Sequence, residues 1–368
     1  AGPPTGHMVI TARSRSIHGP WENAPNNPIT RTVDRSEPWW SRGHATLVEG
    51  TDGRWWMMYH GYENGYWTLG RQALLDPIEW TEDGWFVAKG GDLGQPLRKP
   101  SGSDPSIVHG QALSDDFDSD RLGDQWAFFS PAPDEMQRVS FKDGALVLQG
   151  KGNAPRDASP LTVIAGDQAY QFEVELEVDP GATGGVLLFY SDRLYAGVGF
   201  DGQGFHLHRY GVERPQGRPE GEGNRLWLRV TNNRHIVTVH SSRDGKAWTK
   251  YPVQMEVSGY HHNVAGKFLA LKPAIYASGE GTVRFHNFRY RALDLAYGLE
   301  SHRTLPSRHR PTCPRESRPR KPHLPPHPAR HRPSMTSRGC PACPRRRCRA
   351  SSITRRWCVR TRARKSRR

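Results

Sequence analysis

The residues that could do chemistry in the N-terminal part of this sequence are acids, histidines and one arginine set among aromatic runs. Asp52 and Asp83 stand in the turn signals GTDG and EDGW, where an Asx side chain ordinarily hydrogen-bonds nearby backbone. Glu49 closes an apolar run beside the first of these turns, and Glu37 lies in a Pro- and Ser-containing loop; both are expected to be solvated. Glu63, in the segment GYENGY, is the acid assigned as a candidate contact to a bound molecule. His7 and His60 stand inside apolar runs and are expected to pack, while His44 follows a glycine and Arg71 follows Leu-Gly. A neutral imidazole offers one donor and one acceptor, and a guanidinium offers five donors in a fixed fork. Farther along, Asp115, Asp116 and Asp118 could offer oxygen ligands to a cation, although a solvated acidic turn is the expected role.

These groups need elements to hold them. The stretch Gly43 to Trp85 alternates short aromatic-rich runs with turn signals. Leu47-Val48 and Trp55 to Tyr59 flank GTDG with the spacing of a β-hairpin. A second hairpin is expected from Tyr66 to Arg71, turning at Asp76-Pro77 into Ile78 to Trp80. Short antiparallel strands of this kind predict a propeller blade. Upstream, Pro20, Pro25 and Pro28 forbid helix, and Arg31 to Arg42 reads as a loop carrying Trp39 and Trp40. That tryptophan pair could wall a sugar site or plug a core, and the core role is expected.

Residues 95–112 have the Pro, Gly and Ser content of a linker. From 113 to 293 a second all-β unit is predicted. Its strands are Ala145 to Gln149, Leu161 to Ala165, Tyr170 to Val178, Gly185 to Tyr190, Tyr195 to Phe200, Phe205 to Arg209, Arg225 to Thr231, His235 to His240 and Val283 to Tyr290. The strict alternation in FEVELEV gives one buried and one wet face, and so many strands imply a two-sheet sandwich.

Beyond residue 293 the composition changes. Ser301 to Arg368 carries 22 of the 52 Lys and Arg residues and a single acid, Glu316, whereas the first 300 residues hold 30 basic and 36 acidic groups. The formal +15 therefore belongs to the tail. All five cysteines (Cys313, Cys340, Cys343, Cys348 and Cys358) also fall there. Such a segment has too little apolar surface to build a core and is expected to be disordered. The favoured reading is a reading-frame artefact, ahead of a solvated tail; nucleic-acid binding and a zinc site are remote. No apolar run reaches the roughly 20 residues needed to span a membrane, so no membrane partner is expected, and the artefact reading of the tail leaves none expected for nucleic acid. Compartment and oligomeric state are left open.

GHATLVE, WWMMYHG, LGRQ and PIEW…DGW, in this order, resemble the last blades of the five-bladed β-propeller of glycoside hydrolase family 43, the β-xylosidases and α-L-arabinofuranosidases. GHMV and ARSRSIHGPW extend the resemblance upstream to residue 6. LSDDF…LGDQW and VRFHNFRYRAL resemble the concanavalin-like β-sandwich that follows the propeller in many members. The resemblance implies residues 1–94 as C-terminal blades and 113–293 as that sandwich.

It also implies a chemistry. Family members hydrolyse xylosidic or arabinofuranosidic bonds with inversion, which requires an acid and a base held roughly 6.5–9.5 Å apart. By the family's order these carboxyl groups would fall before Ala1, so none is assigned here and no turnover is expected. His44, at the position of the family's Gly-His motif, is implied to contact the sugar and to help hold an axial calcium ion through water. Ala45 replaces the family's more usual glycine. Arg71 matches the arginine that reaches into the sugar pocket. A xylo- or arabino-oligosaccharide is the implied ligand. The alternative is a non-catalytic carbohydrate-binding sandwich, with Phe189, Tyr190, Tyr195, Phe200 and Tyr210 as stacking candidates, although aromatics borne on strands are mostly core.

Overall fold

The structure is a computed structural model, which describes residues 3–90, 93 and 111–293. The expected linker lies almost wholly outside these residues, as do the tail and all five cysteines.

The N-terminal part holds one four-stranded antiparallel meander, Trp39–Glu49, Trp55–Glu63, Gln72–Trp80 and Phe86–Ala88, each paired with the next. This is a complete propeller blade. Two short pairs precede it, Met8–Val9 with Thr30–Arg31 and Ala12–Arg13 with Glu22–Asn23. GTDG closes the first hairpin, with Gly53 at φ 75° and its N–H donating to Gly50 O. Met57, Tyr59, Leu74, Ile78 and Phe86 form the blade core with Val9.

Two expectations fail here. Trp39 and Trp40 stand in a strand rather than a loop, because its pairing continues past two bulges to Trp39 opposite Glu63. Trp39 packs on the blade core. Asp76-Pro77 is not a turn either: Gln72–Trp80 is one strand running through it, and Trp67–Leu69 is a short 3-10 turn. Proline is tolerated because the ladder to the edge strand Phe86–Ala88 ends there, with Lys89 N still donating to Pro77 O.

Residues 113–293 form the expected sandwich. One sheet has eight strands, in which Thr282–Ala292 lies between Ala145–Gln149 and Ala169–Val178. The facing sheet has seven strands, with Ala182–Ser191 between Leu194–Phe200 and Lys272–Gly279. Phe172, Val174, Leu176 and Val178 point into the shared core while Glu173, Glu175 and Glu177 face out, as the alternation predicted. The strand Lys272–Gly279 was not expected; it is buried almost throughout, so its sequence shows no period of two.

Candidate functional site

A bulged strand aims His44. Register shifts fall between Trp40, Gly43 and Thr46, and both Ser41 and His44 take left-handed φ values, 54° and 61°. Such a bulge re-aims a side chain at a cost in backbone strain. The His44 ring lies 5.7 Å from that of His60, nearly parallel, and the His7 ring lies 5.4 Å from His60 on a tilt. Gly43 allows this closeness, since a Cβ there would sit 2.6 Å from His7 Nδ1.

Arg71 completes the group. Its Nη1 lies 3.4 Å from His60 Nε2. A guanidinium can only donate, so Nε2 of His60 is the acceptor and its proton sits on Nδ1, which is buried without a protein partner. Burial, then the Arg71 charge, then the neighbouring imidazoles push the His60 pKa down to about 4. Burial also lowers that of His7, against the pull of the Ser41 carbonyl. Near pH 7 the site thus presents neutral His7 and His60 rings beside one exposed cation.

The other side of Arg71 comes from the sandwich. Phe268 lies under the guanidinium with 4.2 Å from Cζ to the ring centroid. His262, on the one-turn helix His262–Ala265, stacks on Tyr62 at 4.9 Å and stands edge-on to Trp67 at 5.2 Å. Both of its nitrogens are buried and unpartnered. Burial, then His261 and more weakly Arg71, lower its pKa to about 4. Trp40 packs on Trp67 at 5.3 Å and donates from Nε1 to Arg35 O, so it backs this wall.

The segment 62–71 is seated against the sandwich throughout. Glu63 accepts a hydrogen bond from Gln168, Thr68 Oγ1 meets His235 Nε2 at 2.9 Å, and Leu271 N–H donates to Thr68 O at 2.7 Å. Glu63 therefore stands at the contact between propeller and sandwich, and burial raises its pKa against the Gln168 hydrogen bond.

Sequence reasoning brought together His44 and Arg71, and it missed Tyr62, His262 and Phe268. The HH pair in YHHNVAGKF was the available signal. Asp115 accepts from Phe117 N, Gln125 and Trp126, and Asp116 from Asp118 N, so these carboxylates serve their own turn. No cluster of three metal-ligating side chains occurs among the described residues. Phe189, Tyr190, Tyr195 and Phe200, offered as stacking residues, are at most 1% exposed and belong to packed cores, whereas Tyr210 is 52% exposed.

The model of "Glycosyl hydrolases family 43" matches residues 1–86, and that of the "Beta xylosidase C-terminal Concanavalin A-like domain" matches residues 114–291. The chain belongs to glycoside hydrolase family 43. Among curated relatives, it is 33% identical over 180 residues to the non-reducing end α-L-arabinofuranosidase BoGH43B of Bacteroides ovatus, covering 47% of this chain and 34% of that one. It is 24% identical over 187 residues to the β-xylosidase of Bacillus subtilis, covering 47% and 35%. Among solved structures, the family 43 protein BlXynB of Bacillus licheniformis is similar with a TM-score of 0.67 and 27% identity, over 77% of this chain and 60% of that one. The matched part spans about a third of the length of these two curated relatives.

Proposed function

We propose that this sequence supplies the sugar-positioning side of a family 43 glycosidase acting on xylosidic or arabinofuranosidic bonds. The observation that carries this reading is Arg71, held between His60 of the blade and Phe268 of the sandwich while its own side chain stays exposed. A guanidinium with free donors suits adjacent sugar hydroxyls, the His44 imidazole offers a hydrogen-bonding nitrogen beside it, and Phe268 offers an apolar face to a pentose ring. Glu63 is assigned to holding the sandwich in place.

Inverting hydrolysis needs one carboxylic acid to protonate the leaving oxygen and one carboxylate to activate water across the sugar. Several acids of the blade are already engaged: Glu37 with Arg42, Asp76 with Tyr59, and Glu63 with Gln168. We therefore assign sugar binding to Arg71, His44 and Phe268 and no proton transfer to these acids, and expect no turnover from this sequence alone. An axial calcium ion held by His44 through water belongs to the same proposal. Calcium takes oxygen ligands, and the residues grouped around His44 offer nitrogen, so no step is assigned to it.

The test has two arms. The chain is mixed with aryl β-D-xyloside and aryl α-L-arabinofuranoside to look for aryl alcohol release, and titrated with xylose and L-arabinose by NMR. Pentose binding without turnover, lost in Arg71→Ala, supports the proposal. Turnover would refute the binding-only assignment, and wild-type affinity in Arg71→Ala would refute the site.

A further inference from the structure

The loop that carries Phe268 is fixed by one hydroxyl from the sandwich interior. Tyr190, on the strand Ala182–Ser191, is 1% exposed. Its Oη lies 2.7 Å from Gly266 O and 2.9 Å from Lys267 O, donating its single proton across this pair, and Leu269 N–H approaches it at 3.4 Å. The three groups flank Phe268 on both sides in the chain.

The loop needs such an anchor. Gly266 and Lys267 have φ of 66° and 57°, and a non-glycine residue in the left-handed region persists where its surroundings over-determine it. Phe268 itself is 53% exposed, so little core packing holds its ring over Arg71. Tyr190 ties the loop to the packed sheet on both sides of Phe268, where other ties are an exposed ion pair of Lys267 with Asp192 at 3.5 Å and the packing of Leu269 on the core.

We infer that Tyr190 is a positioning residue: it never touches the sugar, and it sets the loop that places Phe268 against Arg71. This inference rests on the sugar-binding reading of Arg71, but its structural half stands apart from that reading.

Tyr190→Phe in the full chain removes the hydroxyl and keeps the ring. Tyr195→Phe is the control, since Tyr195 lies in the adjacent strand and hydrogen-bonds Glu213 instead. The first readout is the Arg71 side-chain Nε–H signal in NMR, which the Phe268 ring current displaces. In Tyr190→Phe it is expected to move to the position seen in Phe268→Leu, and in Tyr195→Phe to stay. The second readout is xylose affinity, expected to weaken about two- to fivefold with loss of an exposed cation–π contact. An unmoved Arg71 signal in a folded Tyr190→Phe protein overturns the inference. If that signal moves while the wild-type chain binds no pentose, the positioning role stands and the sugar-binding reading fails.

Discussion

The Arg71 guanidinium lies 4.2 Å over the Phe268 ring, so the proposed sugar site is built from both the blade and the sandwich. Arg71 ends a segment whose own backbone is tied to the sandwich at Thr68, and Phe268 ends a loop tied to the sandwich sheet at Tyr190. The fork is thereby held at both ends while its donors remain open to solvent.

Phe268→Ala should weaken pentose binding about two- to fivefold while leaving the unfolding midpoint nearly unchanged, because a half-exposed ring contributes little to the core. Calorimetric titration and a thermal melt on one preparation check both parts. A large drop in the midpoint would mean that the ring is structural.

Stability should fall as the solution is acidified through the imidazole range. Buried, neutral His262 titrates at about 4 in the folded protein, against roughly 6.5 for a free histidine. Between those values the unfolded chain binds the extra proton, so stability is lost as pH falls from about 6.5 to about 4 and levels off below that. The loss from His262 is on the order of 3 kcal/mol, and His60 acts in the same direction. Chemical unfolding at several pH values, for wild type and His262→Phe, measures it. An unchanged slope in the variant would contradict the assignment.

Glu63→Gln separates docking from sugar contact. Burial raises the Glu63 pKa, so the folded protein carries a buried charge at neutral pH that glutamine avoids while keeping an acceptor for Gln168. The variant should be more stable at pH 7 by up to about 1 kcal/mol, with the gain vanishing below about pH 4.5, and pentose affinity should not change. Lost affinity would return Glu63 to the list of sugar ligands.

Gly70→Ala tests the seam itself. Gly70 has φ 72°, and a Cβ there would lie 3.0 Å from Ala270 Cβ across the contact with the sandwich. Strain and crowding together should cost about 1–3 kcal/mol and disturb Arg71 next to it. A denaturation curve and the Arg71 NMR signal read the two effects.

Much of this architecture was legible where local signals are strong. GTDG located the Trp55–Glu63 hairpin, and the FEVELEV alternation located a strand with one buried face. Other parts were hidden for physical reasons. Asp76-Pro77 carries turn chemistry, yet the Tyr59 hydroxyl bonds Asp76 inside the blade and the ladder ends where proline lacks its N–H. Half of the site was invisible because the contact of Arg71 with Phe268 joins segments far apart in the chain. Nothing in the spacing of either one names the other. Aromatic residues on strands are expected to be mostly core, and Phe189, Tyr195 and Phe200 do fill cores, whereas the ring that meets Arg71 sits in a loop between Gly266-Lys267 and Leu269-Ala270-Leu271, where no strand or turn pattern marks it.

The placement of Thr282–Ala292 in the middle of the eight-stranded sheet has a consequence for biosynthesis. Its two neighbours, Ala145–Gln149 and Ala169–Val178, leave the ribosome first and hold unpaired inner edges until it arrives. At roughly 5–20 residues per second, the wait after Val178 is about 5–20 s. Open strand edges are templates for foreign pairing, so in this interval the nascent sandwich depends on chaperone cover or on the speed of its own elongation.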